Sequence, residues 1–161
     1  MRALLQTGLD DLEVNIVAGP ANPNVKMLES EIENARQLGR TVNFSMRLII
    51  DANMPELMAW ADWAVTGGGS TCWELAFMGL PAVVIILADK QRAIAEGLES
   101  AGAAVNLGWH DDLSPSKIAD ALVGLAETVG VRKEMARRGR ELVDGKGNER
   151  VLKELFAACS S

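Results

Sequence analysis

Residues Ala82 to Leu87 read Ala-Val-Val-Ile-Ile-Leu, six side chains in succession without a polar atom. A strand with one wet face alternates apolar and polar residues. A strand apolar on both faces has to be covered on both, as inner strands are in a parallel sheet sandwiched between helices. Four further β-rich runs recur, at Val14-Asn15-Ile16-Val17, Val42-Asn43-Phe44, Trp63-Ala64-Val65-Thr66 and Ala103-Ala104-Val105-Asn106-Leu107. Amphipathic segments near 24–38, 54–61, 71–79 and 91–101 separate the runs, and three more follow near 115–128, 130–143 and 147–158. The alternation predicts an α/β fold, a doubly wound, mainly parallel sheet of about five strands with helices on both faces. A chain of 161 residues has material for one sizeable core, so a single domain spanning 1–161 is expected.

Composition excludes several classes of function. Sixteen basic against 22 acidic residues give a formal charge of −6, which repels a phosphate backbone and argues against nucleic acid as a partner. The basic segment from Arg132 to Arg140 is interleaved with acidic residues at helical spacing and reads as a solvated helix face. Cys72 and Cys159 lie far apart without CxxC spacing, so neither a disulfide framework nor a metal site is indicated. No apolar run approaches the roughly 18 residues of a membrane span, and the first residues lack the pattern of a signal peptide. A cytoplasmic protein with no integral membrane segment is expected.

Loops entering the strands are terse and carry a glycine, as in Met78-Gly79-Leu80-Pro81 and Ala101-Gly102. Loops leaving them are longer and polar, and in an open α/β sheet ligands bind beyond the carboxyl ends of the strands. Function should therefore sit among Gly19–Asn24, Thr66–Ser70, Ala88–Gln91 and Gly108–Asp112. The second of these is the most specific. Gly67, Gly68 and Gly69 precede Ser70 and Thr71 at the start of a helix, where uncovered backbone N–H groups and the helix dipole favour phosphate. No GK[ST] follows, and Cys72 stands where GxGxxG has its third glycine, so neither a Walker loop nor a dinucleotide fingerprint is present. The other reading is a tight turn in which glycine supplies positive φ and close packing.

Glu74 is open to two readings: the far half of a capping box with Thr71, or an acceptor for ribose hydroxyls. Asp89 suits the N-cap of a helix beginning near Lys90, and Asp89 and Gln91 could equally hydrogen-bond sugar hydroxyls. Asn22 and Asn24, beside two prolines, are turn formers that face the same edge. His110, the only histidine, has no serine or cysteine with elbow spacing near it, so no catalytic residue is assigned.

In their order along the chain, Asp62 to Glu74, Gly79-Leu80-Pro81, Asp89-Lys90-Gln91, Ala101 to Ala104, Asn106 to Trp109 and Asp144 to Val151 resemble the C-terminal half of GT-B enzymes of the MurG type. Within that group they are most similar to the UDP-sugar hydrolase family of pseudaminic acid and spore-coat polysaccharide synthesis (PseG and SpsG), over roughly residues 14 to 155. The resemblance implies a Rossmann-like domain that binds a UDP-sugar as substrate ligand, with no cofactor. It implies that Gly67, Gly68, Gly69, Ser70 and Thr71 receive the diphosphate and that Glu74 takes the ribose. Backbone near Ile49 and Ile50 would read the uracil, Asp89 and Gln91 would approach sugar or phosphates, and Asn22 and Asn24 would border the nucleotide. A valine at Gly68 would then fill the phosphate site.

The same resemblance implies an N-terminal GT-B domain, in cis or as a partner subunit in trans, that carries the catalytic residues. On this reading the chain is a fragment without that domain and without the first strand of its own sheet. The intact protein would be a hydrolase or hexosyltransferase, and this part alone inactive. The alternative is a non-catalytic module that binds a protein through the edge left by the missing strand.

Overall fold

A computed structural model of the protein describes residues 1–38 and 44–159. After a 3-10 turn at Leu4–Gln6, strands and helices alternate: β1 (Leu12–Ala18), α1 (Val25–Leu38), β2 (Phe44–Ile50), α2 (Met54–Trp60), β3 (Ala64–Gly67), α3 (Thr71–Met78), β4 (Ala82–Ile86), α4 (Arg92–Ser100) and β5 (Val105–Trp109). Three helices close the chain, α5 (Pro115–Glu127), α6 (Val129–Leu142) and α7 (Gly147–Cys159). The architecture is the α/β one expected, with five strands and only parallel pairs among the described residues. Among the described residues, no helix is long and apolar enough to cross a membrane.

The strands do not form one hydrogen-bonded sheet. β1 pairs with β2, and β3, β4 and β5 pair in that order, so among the described residues β1 and β3 each have a single ladder partner. The division shows in burial: Val83 and Val84 of β4 are 0% exposed, whereas Val17 of β1 and Val65 of β3 are 41% and 46% exposed. The apolar run that opens the argument is thus the middle strand of the larger sheet. Its alternate residues enter different cores. Ala82 packs with Met58, Leu75 and Leu80, and Val83 with Leu122, Leu125 and Met135 on the other face. Burying a side chain of this kind contributes about 1.5–3 kcal/mol.

Two strands lie further along the chain than the sequence runs suggest. The run expected at 42–44 belongs to a strand that starts at Phe44 and ends at Ile50; positions 42 and 43 lie outside the described residues. The run expected at 103–107 becomes 105–109 because Gly102 and Ala103 are engaged in ending α4. There the Ala103 N–H reaches the Leu98 carbonyl and the Gly102 N–H the Glu99 carbonyl, both at 2.8 Å, with Gly102 at φ +65°. This left-handed closure requires a residue without a Cβ penalty and returns the chain at once toward the next strand. Gly79 ends α3 the same way, at φ +68°, with Leu80 N–H on Leu75 O at 2.8 Å. The terse glycine loops entering β4 and β5 are therefore helix ends, and the longer polar loops collect at the opposite edge.

Candidate functional site

β3 ends at Gly67 and α3 begins at Thr71, so the chain reverses over three residues. The Gly67 carbonyl organises the turn: the Gly69 N–H reaches it at 2.8 Å, the Thr66 hydroxyl at 3.2 Å and the Cys72 thiol at 3.3 Å. Gly68 extends the ladder beyond β3 by donating its N–H to Ile85 O at 3.2 Å. Farther on, the Cys72 and Trp73 amides donate to Gly69 O and Ser70 O. Among the described residues, that leaves the N–H groups of Ser70 and Thr71 without an acceptor, at the positive end of α3. The set of bare amides expected over 67–71 is thus narrower, because the glycine amides at 68 and 69 are engaged within the chain.

The three glycines differ in what they make possible. None adopts positive φ, so conformational freedom does not explain them. A Cβ on Gly67 would lie 3.0 Å from Leu87 Cδ1, and one on Gly68 would lie 2.9 Å from the Gln91 carbonyl oxygen and 3.1 Å from Gln91 Cβ. Those two glycines let the loop after β4 press against the turn. A Cβ on Gly69 would meet nothing within 4 Å. Only at Gly69 does a missing side chain leave space open toward solvent, beside the free amides. A valine at Gly68 would therefore collide with protein backbone, which displaces the expectation that it would fill a ligand site.

Ser70 is the N-cap residue, with φ −60° and ψ −28°, and makes no side-chain cap bond. Thr71 lies inside the helix, so the capping box with Glu74 is not formed, and Glu74 stands exposed in the first turn of α3. The N-cap expected of Asp89 is also absent. Asp89–Gln91 is a separate 3-10 turn, α4 starts only at Arg92, and Asp89 pairs with Arg92 at 3.5 Å. Gln91 acts within the scaffold: its side-chain oxygen accepts the Leu87 N–H at 2.9 Å and so fixes the end of β4 against the glycine turn.

The remaining candidates sit on the other sheet. Asn22 Oδ1 accepts the Asn24 N–H at 2.9 Å in the loop after β1, the local turn that its residue type favours. Ile49 and Ile50 end β2 opposite Val17 and Ala18. Ten of the twelve predicted residues therefore occupy carboxyl ends of strands or the loops beyond them, and Thr71 and Glu74 lie in the first turn of α3; the structure joins Gly67 and Gly68 to Gln91 directly. Sequence reasoning missed Leu87 and Cys72. Burial pushes the Cys72 thiol up from its ordinary pKa, and the neutral S–H is the form that donates to Gly67 O. The signal available was its position one residue after Thr71, on the inward side of an eight-residue helix.

Residues 6–149 match the glycosyltransferase family 28 C-terminal domain. The chain belongs to this family. A related protein is the spore coat polysaccharide biosynthesis protein SpsG of Bacillus subtilis strain 168, 28% identical over 152 residues that make up 92% of this chain and 42% of SpsG. Among solved structures, MurG of Acinetobacter baumannii superposes with a TM-score of 0.75 at 21% identity, over 97% of this chain and 44% of MurG. WaaG, a glycosyltransferase involved in lipopolysaccharide biosynthesis, gives 0.65 at 18% identity, over 90% and 38%. The fold is that of the GT-B C-terminal half, and the chain spans less than half the length of these relatives.

In this family 28 domain the glycine turn offers two backbone donors, two hydroxyls and one exposed carboxylate, a set suited to an anion next to a polyhydroxyl group. It contains no nucleophile–base pair. His110 lies elsewhere, after β5, with Nδ1 3.1 Å from Asp111 and its ring 5.1 Å from that of Trp109. The basic stretch of α6 is engaged locally. Arg132 holds the last carbonyls of α5, Arg137 pairs with Glu134 and Glu141, and Arg138 with Glu134.

Proposed function

We propose that this domain binds the nucleoside diphosphate portion of a UDP-sugar, as the nucleotide half of an enzyme of glycan biosynthesis. The observation that carries the reading is the pair of unengaged amides at Ser70 and Thr71 at the start of α3, next in sequence to Gly69, where a side chain would meet nothing. A pyrophosphate supplies the negative charge such a helix end attracts, and the donors need no reorganisation to receive it. Glu74, one turn into the helix and without a protein partner among the described residues, accepts from the ribose hydroxyls. Membership of family 28 and kinship with SpsG and MurG support a nucleotide-sugar ligand.

In the reaction, this half stabilises the departing UDP through those donors and the helix dipole. The group that activates the attacking oxygen comes from an N-terminal domain in cis or from a partner subunit. Water as nucleophile makes the enzyme a hydrolase; an acceptor hydroxyl makes it a transferase. The test is a titration of the ¹⁵N-labelled chain with UDP, followed by amide chemical shifts. Shifts concentrated from Gly67 to Glu74 are expected, and an unchanged spectrum at millimolar UDP would refute the assignment.

A further inference from the structure

Two of the three side chains in the 3-10 turn after β4 are committed to the protein. Asp89 pairs with Arg92 at 3.5 Å, and Gln91 accepts the Leu87 N–H at 2.9 Å. Lys90, between them, is exposed and has no hydrogen-bond or ion-pair partner among the described residues. On the basis of the UDP-sugar reading above, we propose that the Lys90 ammonium binds the β-phosphate of the nucleotide and meets the charge that develops on the departing UDP.

Charge balance carries the argument. Each phosphate of a UDP-sugar is negative. When the bond to the anomeric carbon breaks, its electron pair stays on the β-phosphate oxygen and adds a further charge. The Ser70 and Thr71 amides offer dipoles and no net charge. Glu74 places a carboxylate in the first turn of the same helix, and the whole chain carries −6. A diphosphate seated there is undercompensated until a cation joins it.

Among the described residues, three cations stand in the segments that follow the β3–β5 strand ends: Lys90, Arg92 and Lys117. Arg92 is drawn toward β5, since besides pairing with Asp89 its guanidinium lies over the Trp109 ring, 5.6 Å from the centroid. Lys117, on α5, donates to Leu107 O at 3.5 Å. Only Lys90 is uncommitted. It also stands next to the glycine turn, because it immediately precedes Gln91, whose carbonyl oxygen lies 2.9 Å from where a Cβ on Gly68 would be. Lys90 is one residue from that backbone contact and Ser70 two. A four-carbon stem with free rotors bridges such a separation without movement of the main chain.

The topology selects which phosphate it meets. β1 and β3 line one groove, and β4 is bonded to the other edge of β3, so β4 lies on the side of β3 away from β1 and β2. With uracil at Ile49 and Ile50 on β2 and the ribose at Glu74, crossing from β3 to β4 leads away from the base. The loop after β4 therefore reaches the β-phosphate and the oxygen that bridges it to the sugar.

Calorimetry with UDP and UMP tests the assignment. Lys90→Met should weaken UDP about tenfold and UMP less than about twofold, with the Tm unchanged because the side chain holds nothing in the fold. Lys90→Arg, which keeps the charge, should bind UDP within about threefold of the parent. Lys133→Met removes the same charge from an exposed position on α6 and should leave both affinities unchanged. The Lys90 ¹³Cε resonance should move on addition of UDP and stay in place with uridine. Parental UDP affinity in Lys90→Met, with amide shifts still concentrated from Gly67 to Glu74, overturns the role of Lys90 and leaves the phosphate site standing. An equal loss in Lys133→Met overturns it too, by reducing Lys90 to part of the general field, and equal losses for UDP and UMP overturn the β-phosphate contact. A parent chain that binds no UDP removes the site and the lysine's role together.

Discussion

The carbonyl oxygen of Gln91 lies 2.9 Å from the position a Cβ on Gly68 would occupy, so the loop after β4 and the glycine turn after β3 are in backbone contact. Gly68→Val is therefore expected to act on the fold. Overpacking against main chain costs about 1–3 kcal/mol, and the unfolding midpoint should fall accordingly. Gly69→Ala, which meets nothing within 4 Å, should leave that midpoint unchanged while weakening UDP binding about tenfold or more. Thermal unfolding and a UDP titration on the same two variants separate the roles, and the reverse pattern would place the ligand at Gly68.

Ser70 allows a single backbone donor to be deleted. Its φ of −60° is the value proline imposes, and the preceding Gly69 tolerates the restriction a proline places on it. Ser70→Pro should keep α3 intact, holding or slightly raising the Tm, and remove one of the two free N–H groups. A hydrogen bond to a charged group is worth about 1.5–3 kcal/mol, so UDP affinity should drop about 10- to 150-fold. Ser70→Ala removes the hydroxyl and keeps the amide, and should lose much less. Equal losses in the two variants would assign the contact to the hydroxyl.

Glu74 forms no cap with Thr71, so its replacement should not touch stability. Glu74→Gln is expected to weaken UDP about tenfold and to weaken 2′,3′-dideoxy-UDP hardly at all, since the lost acceptor serves ribose hydroxyls. Calorimetry with both nucleotides checks this; the same loss for both would move Glu74 away from the ribose.

How far the sequence carries this protein depends on which residues interact locally. The apolar run 82–87 announces β4, and the helices begin and end within a residue or two of their expected limits because periodicity and terminal glycines are local properties. The division into two sheets is not local. Nothing in Leu12–Ala18 or Ala64–Gly67 says that the two strands belong to separate ladders. The turn after β3 is legible as a place for an anion, but which glycine serves it is decided by Gln91, more than twenty residues downstream. The same holds for Asp89, whose N-cap role is superseded when Gln91 is drawn toward Leu87 and α4 starts later.

The arginines of α6 form the other cationic feature that could attract a diphosphate, and a titration distinguishes the two. Hydrogen bonds from Arg137 and Arg138 hold the Glu134 carboxyl at about 2, well below its ordinary 4.5. A depressed carboxylate of this kind stabilises the fold above its unfolded pKa, and the contribution disappears as pH falls from about 4.5 through about 2. The Glu134 contribution should not change between pH 8 and pH 5. Both groups are exposed, so the energetic effect is small and salt-dependent. The carboxyl ¹³C resonance of Glu134 should titrate near 2 and return toward 4.5 in Arg137→Ala/Arg138→Ala. That same double variant should bind UDP as the parent does, because the guanidinium groups it lacks are paired with Glu134 and Glu141 on the helix surface of the parent. A substantial loss of UDP affinity would instead bring α6 into the site and take weight from the turn at Ser70 and Thr71.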